Sequence, residues 1–245
     1  MLIKQINLTR SQALRWLDKL GSTPPALSIY IKADTGEQEI EKMLGSILDR
    51  GEMFDELAAK AAKSATGAVL YYGMDRAYVI WPPFPFADNA VIRGYSCEPL
   101  RAMLEKDWHL ALVLVRLGQF AIGIFKGEKL IEGKAGTGLV HARHKKGGSS
   151  ANRFARHRAK QMEYFFTRVE AHAREILEPR LKGIDYILYG GTRDTLLSLQ
   201  KQCGFFSKLE PKVVGRLLSV REPKRATFEE AVGQAYTSTV FEYEE

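Results

Sequence analysis

The sequence predicts an α/β protein, with a mixed sheet in its C-terminal part and a smaller α/β part before it. Short apolar runs typical of strands alternate along the chain with amphipathic runs typical of helices. One helical run, from about Ala151 to Glu178, carries apolar residues at i, i+3, i+4 and i+7 from Met162 onwards. Two apolar runs, Leu110–Val115 and Phe120–Phe125, follow each other closely and predict the start of a β-meander.

The first part of the chain, residues 1–105, predicts an N-terminal α/β domain. Apolar residues at helical spacing indicate helices over 10–20 and over 37–62, the second with a break near Gly51. Strands are predicted over 26–31, 68–72 and 77–81. We find no catalytic constellation in this domain and assign it no role.

The aromatic residues of this N-terminal domain allow two interpretations. They could form a stacking surface for nucleic acid, or they could belong to the core, which we expect because aromatic side chains are usually buried. The residues concerned are Tyr30, Tyr71, Tyr72, Tyr78, Trp81, Phe84 and Phe86.

Residues 106–245 predict a second domain, in which strands and helices alternate. The meander continues with Lys129–Glu132, and the long helix that follows ends before Pro179, which cannot continue it. Further strands are predicted over 184–189 and 213–220, and further helices over 192–202 and 227–236. This alternation is typical of an α/β domain.

The net charge of +7 is concentrated in one stretch, which we call the cationic segment, residues 141–160. It contains seven of the 36 basic residues and no acidic one, so the rest of the chain has 29 basic residues against 29 acidic ones. A neutral body with one cationic stretch predicts a polyanion as the partner at that place.

The residue types of this segment suit contact with a nucleic-acid backbone. Gly147 and Gly148 have no Cβ to clash with an approaching ligand, and Ser149 or Ser150 can cap the helix that follows. The positively charged start of a helix suits an anion or a developing oxyanion. Arg153, Arg156 and Lys160 are spaced i, i+3 and i+7 and therefore share one stripe of that helix.

At this point the sequence resembles a known family. The stretch from Lys145 to Arg158 reads KKGGSSANRFARHR. It is similar to the KxxGxGGQSxxRFxRxR signature of the catalytic middle domain of archaeo-eukaryotic class-I release factors. Related domains occur in Pelota and in the release-factor-like peptidyl-tRNA hydrolases of ribosome-associated quality control. The resemblance extends from about Trp108 to the C-terminus, and it implies a release-factor catalytic-domain-like fold there.

One position departs from the family signature. The catalytic Gln of the family follows the two glycines, and here Ser149 stands in its place. The quality-control hydrolases place a Gln elsewhere in the loop, but the corresponding Gly136-Thr137-Gly138-Leu139 contains none. Gln161 lies about three helical turns further on and is too far away to substitute.

The resemblance implies a peptidyl-tRNA hydrolase for ribosome rescue or quality control. Its partners would be the large ribosomal subunit with its ribosomal RNA, and peptidyl-tRNA. The expected catalytic residues are Gly147, Gly148, Ser149 and Ser150. The expected RNA-binding residues are Arg143, His144, Lys145, Lys146, Asn152, Arg153, Arg156, Arg158 and Lys160.

We find no stop-codon-decoding NIKS motif and expect no separate decoding domain in 245 residues, which disfavours termination at stop codons. The alternative is a ribosome- or tRNA-binding protein without the hydrolytic chemistry.

Other classes of function are disfavoured by the spacing of their motifs. No GxxxxGK[ST] or GxGxxG pattern is present, so we expect no nucleotide cofactor. The histidines near the cationic segment lack carboxylate or thiolate companions, so we expect no metal. A Ser149 nucleophile would need an oriented base, and the sequence indicates none.

Targeting features are also missing from the sequence. The N-terminal residues contain no apolar leader, and the longest apolar stretch is interrupted by Arg116. Cys97 and Cys203 lie far apart and fit buried thiols in a reducing compartment. We therefore expect a cytoplasmic protein without a membrane span.

Overall fold

The structure is a computed structural model that describes residues 1–48, 51–140 and 151–244. Its backbone divides into two compact units. The first consists of Met1–Lys106 together with Gly233–Glu245, and the second is Asp107–Val232. Residues 233–245, which were expected in one domain with 106–232, thus group with the first unit.

The first unit opens with nine elements in chain order. They are β1 (Leu2–Leu8), α1 (Arg10–Gly21), β2 (Leu27–Ile31), α2 (Glu37–Gly45), α3 (Glu52–Ala62), β3 (Ala68–Tyr72), β4 (Arg76–Trp81), β5 (Ala90–Arg93) and α4 (Glu98–Glu105). Helix α1 begins with a capping box, in which the Thr9 hydroxyl accepts from the Gln12 N–H and the Gln12 side chain accepts from the Thr9 N–H.

The second unit contains eight further elements. They are β6 (His109–Arg116), β7 (Gln119–Lys126), β8 (Lys129–Thr137), α5 (Ala151–Leu177), β9 (Tyr186–Gly191), α6 (Arg193–Gln202), β10 (Val213–Leu218) and α7 (Phe228–Ala235), whose last turn crosses into the first unit. Its sheet has the order β10-β9-β6-β7-β8. Strands β10, β9 and β6 are parallel, whereas β6, β7 and β8 are antiparallel. This mixed sheet confirms the predicted fold class.

The last strand, β11 (Ser238–Glu244), returns to the first unit. It lies between β1 and β4 in a sheet of order β1-β11-β4-β3-β2-β5, in which all pairings are antiparallel. Sequence patterns did not indicate β1 or β11, because each acquires its partner from the opposite end of the chain. This pairing is the physical reason why residues 233–245 group with the first unit.

The aromatic residues of the first unit belong mainly to its core. Tyr30, Tyr71 and Phe84 are buried, and the other four of the set are half-buried. The Tyr30 and Tyr71 hydroxyl oxygens lie 3.1 Å apart, and burial raises the pKa of Tyr30 to about 12, so the phenol stays neutral. Core placement is confirmed for the buried members, and the stacking-surface interpretation is not supported for them.

The core of the second unit is formed by α5 and α6 on one face of the mixed sheet. The C-terminal half of α5 contributes Phe165, Phe166, Val169, Ala173 and Ile176, which pack with the inward side chains of β6 and β7. These positions are the apolar stripe that the helical spacing predicted. Since each buried aromatic or aliphatic side chain contributes about 1.5–3 kcal/mol, this face fixes the helix firmly on the sheet.

The place of β11 in the first unit leads to a stability prediction. Phe241 is buried, and its ring packs against Trp81 at 4.7 Å and under the Lys60 ammonium at 4.4 Å. We expect Phe241→Ala to lower the free energy of unfolding by about 3–5 kcal/mol. The matched control is Thr239→Ala, which removes only a partly exposed hydrogen bond to Asn7 and is expected to cost less than about 1.5 kcal/mol.

The measurement is urea unfolding followed by tryptophan fluorescence, since Trp81 reports directly on this contact. Equal, small reductions in stability for the two variants would contradict the placement of β11 in the core of the first sheet.

Candidate nucleic-acid interface

The predicted site residues fall into two groups. Eight of them lie outside the described residues, namely Arg143, His144, Lys145, Lys146, Gly147, Gly148, Ser149 and Ser150. The other five lie in the first turns of α5 and are Asn152, Arg153, Arg156, Arg158 and Lys160. The structure therefore brings all the described members of the set together on one helix end.

The first half of α5 is largely exposed, and only Met162, near its end, packs against the core. From Asn152 to Lys160 every side chain is exposed except that of Arg158, which is half-buried, and the first buried residue of the helix is Phe165. We call residues 151–164 the stalk. At 1.5 Å per residue the stalk is about 21 Å long, so the side chains in the first turns of α5 lie well away from the buried half of the helix.

The stalk is helical for local and non-local reasons. It is rich in Ala, Arg, Lys and Gln, which have high helix propensity. It also extends a helix whose later turns are already fixed by packing, so the cost of nucleation is not incurred again. The charges work in the opposite direction, because the first turn has no acidic residue and cations near a helix N-terminus are unfavourable. An anion at this end would relieve that repulsion.

Just beyond the stalk, Arg168 attaches α5 to the end of β8. Its guanidinium Nη1 donates to the carbonyl oxygen of Thr137, the last residue of β8, over 2.8 Å. The next residue, Gly138, donates its N–H to the carbonyl oxygen of Gly118 over 2.9 Å. The strand that leads into the cationic segment is therefore fixed to the helix that leads out of it.

A second attachment lies further along the same two elements. The Lys134 ammonium is 2.8 Å from the Glu175 carboxylate, and His172 Nδ1 is 3.1 Å from the same oxygen. Lys134, and after it His172, hold the pKa of Glu175 below its usual range. Because folding lowers the pKa of Glu175, its ionised carboxylate stabilises the folded protein at a pH above the ordinary glutamate pKa. This stabilisation is lost as the pH falls through the lowered pKa of the folded state. The attachment is thus intact at neutral pH.

The close approach of β8 to α5 depends on Gly138. A Cβ atom built on Gly138 would lie 2.7 Å from Cδ2 of Phe165, the first buried residue of the helix. Only a residue without a side chain fits there without displacement of the ring. The helix extends far beyond its attachment at Arg168, because Ala151 lies 17 residues before Arg168, which corresponds to about 25 Å of helical rise.

The sequence did not predict these attachments between α5 and β8. Arg168, His172 and Glu175 follow each other at i, i+4 and i+7, which places them on one polar face beside the apolar stripe. That spacing was the available signal. Their partners, Thr137 and Lys134, are more than 30 residues away in sequence, and no local pattern indicates them.

Two other features are absent from the described ranges, a metal-binding cluster and a membrane-spanning helix. No group of three or more His, Cys, Asp or Glu side chains there is placed to hold a metal ion. No helix in the same part of the chain is long and apolar enough to cross a membrane.

The mixed sheet, the long helix α5 with cations in its first turns, and the Gly-Gly pair that precedes it in sequence fit a release-factor-like protein. More narrowly, the chain belongs to the Actinobacteria/chloroflexi VLRF1 release factor family, whose model matches residues 108–240. The matched range contains the cationic segment and all the elements of the second unit. The resemblance stated from the sequence is thereby confirmed at the level of the superfamily.

Comparison with individual proteins gives more distant similarities. Peptide chain release factor subunit 1 of Aeropyrum pernix is 27% identical over 157 residues, which cover 61% of this chain and 40% of that protein. The corresponding protein of Archaeoglobus fulgidus is 25% identical over 193 residues, covering 76% and 46%. The chain thus spans less than half the length of these relatives.

Solved structures show similarities of the same kind. A crystal structure of the archaeal translation termination factor aRF1 aligns with a TM-score of 0.43 and 17% identity, covering 94% of this chain and 73% of that one. The Vms1 mitochondrial localization core aligns with a TM-score of 0.41 and 15% identity, covering 84% and 93%.

The packing of Gly138 provides a test of how β8 is fixed on α5. We expect Gly138→Ala to destabilise the second unit by about 1–3 kcal/mol, because the added Cβ must displace the Phe165 ring. The control is Gly183→Ala, where a Cβ meets open space and the change should stay within about 1 kcal/mol.

Hydrogen–deuterium exchange followed by mass spectrometry measures the effect locally. Peptides from β7 and β8 should exchange faster in Gly138→Ala, while peptides from the first unit should not change. Unchanged exchange in β8 would show that the strand does not need this close contact.

Proposed function

We propose that this protein is a release-factor-like peptidyl-tRNA hydrolase that acts in ribosome rescue or quality control. Water attacks the ester carbonyl carbon that joins the nascent peptide to tRNA, and a tetrahedral oxyanion forms. The bond to the tRNA ribose oxygen then breaks. One proton of the water passes to that oxygen, and the other is released to solvent as the new carboxylic acid ionises. The products are a free peptide carboxylate and tRNA with a free terminal hydroxyl.

The observation that supports this proposal most strongly is the stalk in a chain of the VLRF1 release factor family. The scissile ester of a stranded nascent chain lies inside the large ribosomal subunit, so the reacting loop must be carried on a slender projection. The stalk is a largely exposed helical stretch about 21 Å long, and α5 is attached to β8 just beyond it. Its cations suit phosphate contacts, which supply affinity and position without reading sequence.

The roles of the individual residues follow from the chemistry and remain proposals. Gly147 and Gly148 would allow the loop to approach the ester closely. The backbone N–H of Ser149 would donate to the oxyanion, since every residue except Pro has such a donor. The Ser149 hydroxyl would contact the attacking water, although it reaches less far than a Gln amide. The basic side chains from Arg143 to Lys160 would hold RNA phosphates.

One observation favours a second candidate function. Ser149 stands where the family signature has the catalytic Gln, which favours a protein that binds the ribosome or tRNA without hydrolysing the ester. Both candidates require RNA binding through the cationic segment, and they differ only in the chemistry.

Catalysis by a backbone donor predicts an order among three variants. Gly148→Ala should lower peptide release by roughly 100- to 1,000-fold, because it displaces the oxyanion donor. Ser149→Ala keeps the N–H and should reduce release much less. Ser149→Gln restores the family residue and should raise the rate. The measurement is single-turnover release of a labelled peptide from stalled ribosome–nascent-chain complexes.

The opposite order would contradict this mechanism. If Ser149→Ala abolished release while Gly148→Ala had no effect, the side chain would be the catalyst. If wild type and all variants bound ribosomes but none released peptide, the protein would be a non-catalytic binder.

Binding through the cationic segment makes a separate prediction. We expect a variant with four basic residues replaced by alanine to bind ribosomes more weakly. The logarithm of its binding constant should also fall less steeply with the logarithm of the salt concentration, by about 0.9 in slope for each phosphate that it no longer neutralises. The four replaced residues are Lys145, Lys146, Arg153 and Arg156. The control removes the same charge from exposed lysines of the first unit, at Lys4, Lys19, Lys42 and Lys63. Equal slopes for the two variants would argue against a specific cationic interface.

A further inference from the structure

The exposed aromatic side chains of this protein are concentrated on the stalk. Among the described phenylalanines, tyrosines and tryptophans, two are exposed, Phe154 at 47% and Tyr164 at 77%. Both belong to residues 151–164. The Arg153 guanidinium lies 5.9 Å from the Phe154 ring, so that ring has a neighbouring cation. No hydrogen bond, ion pair or ring contact with another described residue holds the Tyr164 side chain.

Tyr164 continues the line of the basic side chains. At 100° per residue, Arg153, His157, Lys160 and Tyr164 fall within about 40° of one direction, opposite to the buried face that begins at Phe165. Lys160 is one turn before Tyr164, and both side chains are exposed. Helical side chains lean towards the N-terminus, so the Tyr164 ring leans towards Lys160.

This arrangement pairs a phosphate-binding group with an uncovered ring. The geometry points to Tyr164 as a stacking platform for an unpaired RNA base, with Lys160 holding a phosphate of the same strand. The inference rests on the proposed function, because it assigns a ligand group to the proposed RNA-binding face, and it adds a residue that the family signature does not contain.

The ligand is single-stranded because only an unpaired base offers a free face for stacking. In a duplex the base faces are already covered by their neighbours, and single strands are bound by aromatic rings beside a cationic track. RNA is favoured over an acidic protein by the length of the charged track. Cations run through residues 143–160, and the first acidic side chain after them is Glu163.

Stacking and phosphate contact are separable by their salt dependence. Counterion release depends on the number of phosphates neutralised, so removal of a lysine flattens the salt slope. Removal of a stacking ring lowers affinity and leaves the slope unchanged. Alanine also has the highest helix propensity, so Tyr164→Ala should leave the stalk helical.

The experiment measures binding of the full chain by fluorescence anisotropy between about 50 and 200 mM KCl, a range over which phosphate contacts change affinity strongly. The probes are a labelled oligouridylate, an abasic oligomer with the same number of phosphates, and poly-L-glutamate as an acidic polymer without bases. The variants are Tyr164→Ala, Tyr164→Phe and Lys160→Gln. The control is Leu197→Ala, which removes another exposed apolar side chain of the second unit.

We expect Tyr164→Ala to weaken oligouridylate binding by roughly fivefold or more at an unchanged salt slope. Tyr164→Phe should remain within about twofold of wild type, because stacking needs the ring and not the hydroxyl. Lys160→Gln should lower the slope by about 0.7, the value for one contact to a single strand. Leu197→Ala should have no effect, and the abasic oligomer should not distinguish Tyr164→Ala from wild type.

Several results would overturn the assignment. The first is that Tyr164→Ala weakens oligouridylate binding no more than Leu197→Ala does. The second is that Tyr164→Ala weakens binding of the abasic oligomer or of poly-L-glutamate as much as binding of oligouridylate. The third is that the wild-type protein does not bind oligouridylate. Failure of peptide release alone would remove the hydrolase proposal and leave this assignment intact. If Tyr164→Ala had no effect while Lys160→Gln still lowered the salt slope, this assignment would be wrong, but RNA binding would stand.

Discussion

The burial of Phe165, Phe166 and Val169 against the mixed sheet is the interaction on which the stalk depends. A free helix as short as the stalk is marginal in water, and one with cations at its N-terminal end is weaker still. The stalk avoids this limit because it is the continuation of a helix that the core already holds in place. The helical conformation of the exposed end is thus maintained by apolar contacts made at the other end.

The two faces of α5 have different tasks. Its apolar face supplies most of the stabilisation, since buried side chains each contribute about 1.5–3 kcal/mol. Its polar face, with Arg168 and Glu175, makes exposed contacts to β8, and exposed contacts of this kind add little to stability because water screens them. The polar contacts therefore determine which part of the strand lies beside which turn of the helix, and contribute little to the free energy of folding.

The sequence allowed the second unit to be predicted better than the first. Helical spacing located the buried half of α5, and charge counting located its exposed half. Local pattern failed where partners are distant, as in the pairing of Leu2 with Tyr243 and the bond from Arg168 to Thr137. It also failed at β8, predicted to end at Glu132, because Gly133 and Gly136 are residues typical of turns. In the structure aromatic rings occupy the space beside those glycines, and the strand continues.

The return of β11 to the first sheet has a consequence for synthesis of the protein. Until residues 238–244 leave the ribosome, β1 and β4 lack the strand that separates them, and both present unpaired backbone groups. The second unit, whose elements are contiguous in sequence, can complete its sheet earlier. A chain interrupted before residue 238 would thus carry a complete stalk together with a first sheet that is still open to aggregation or to degradation.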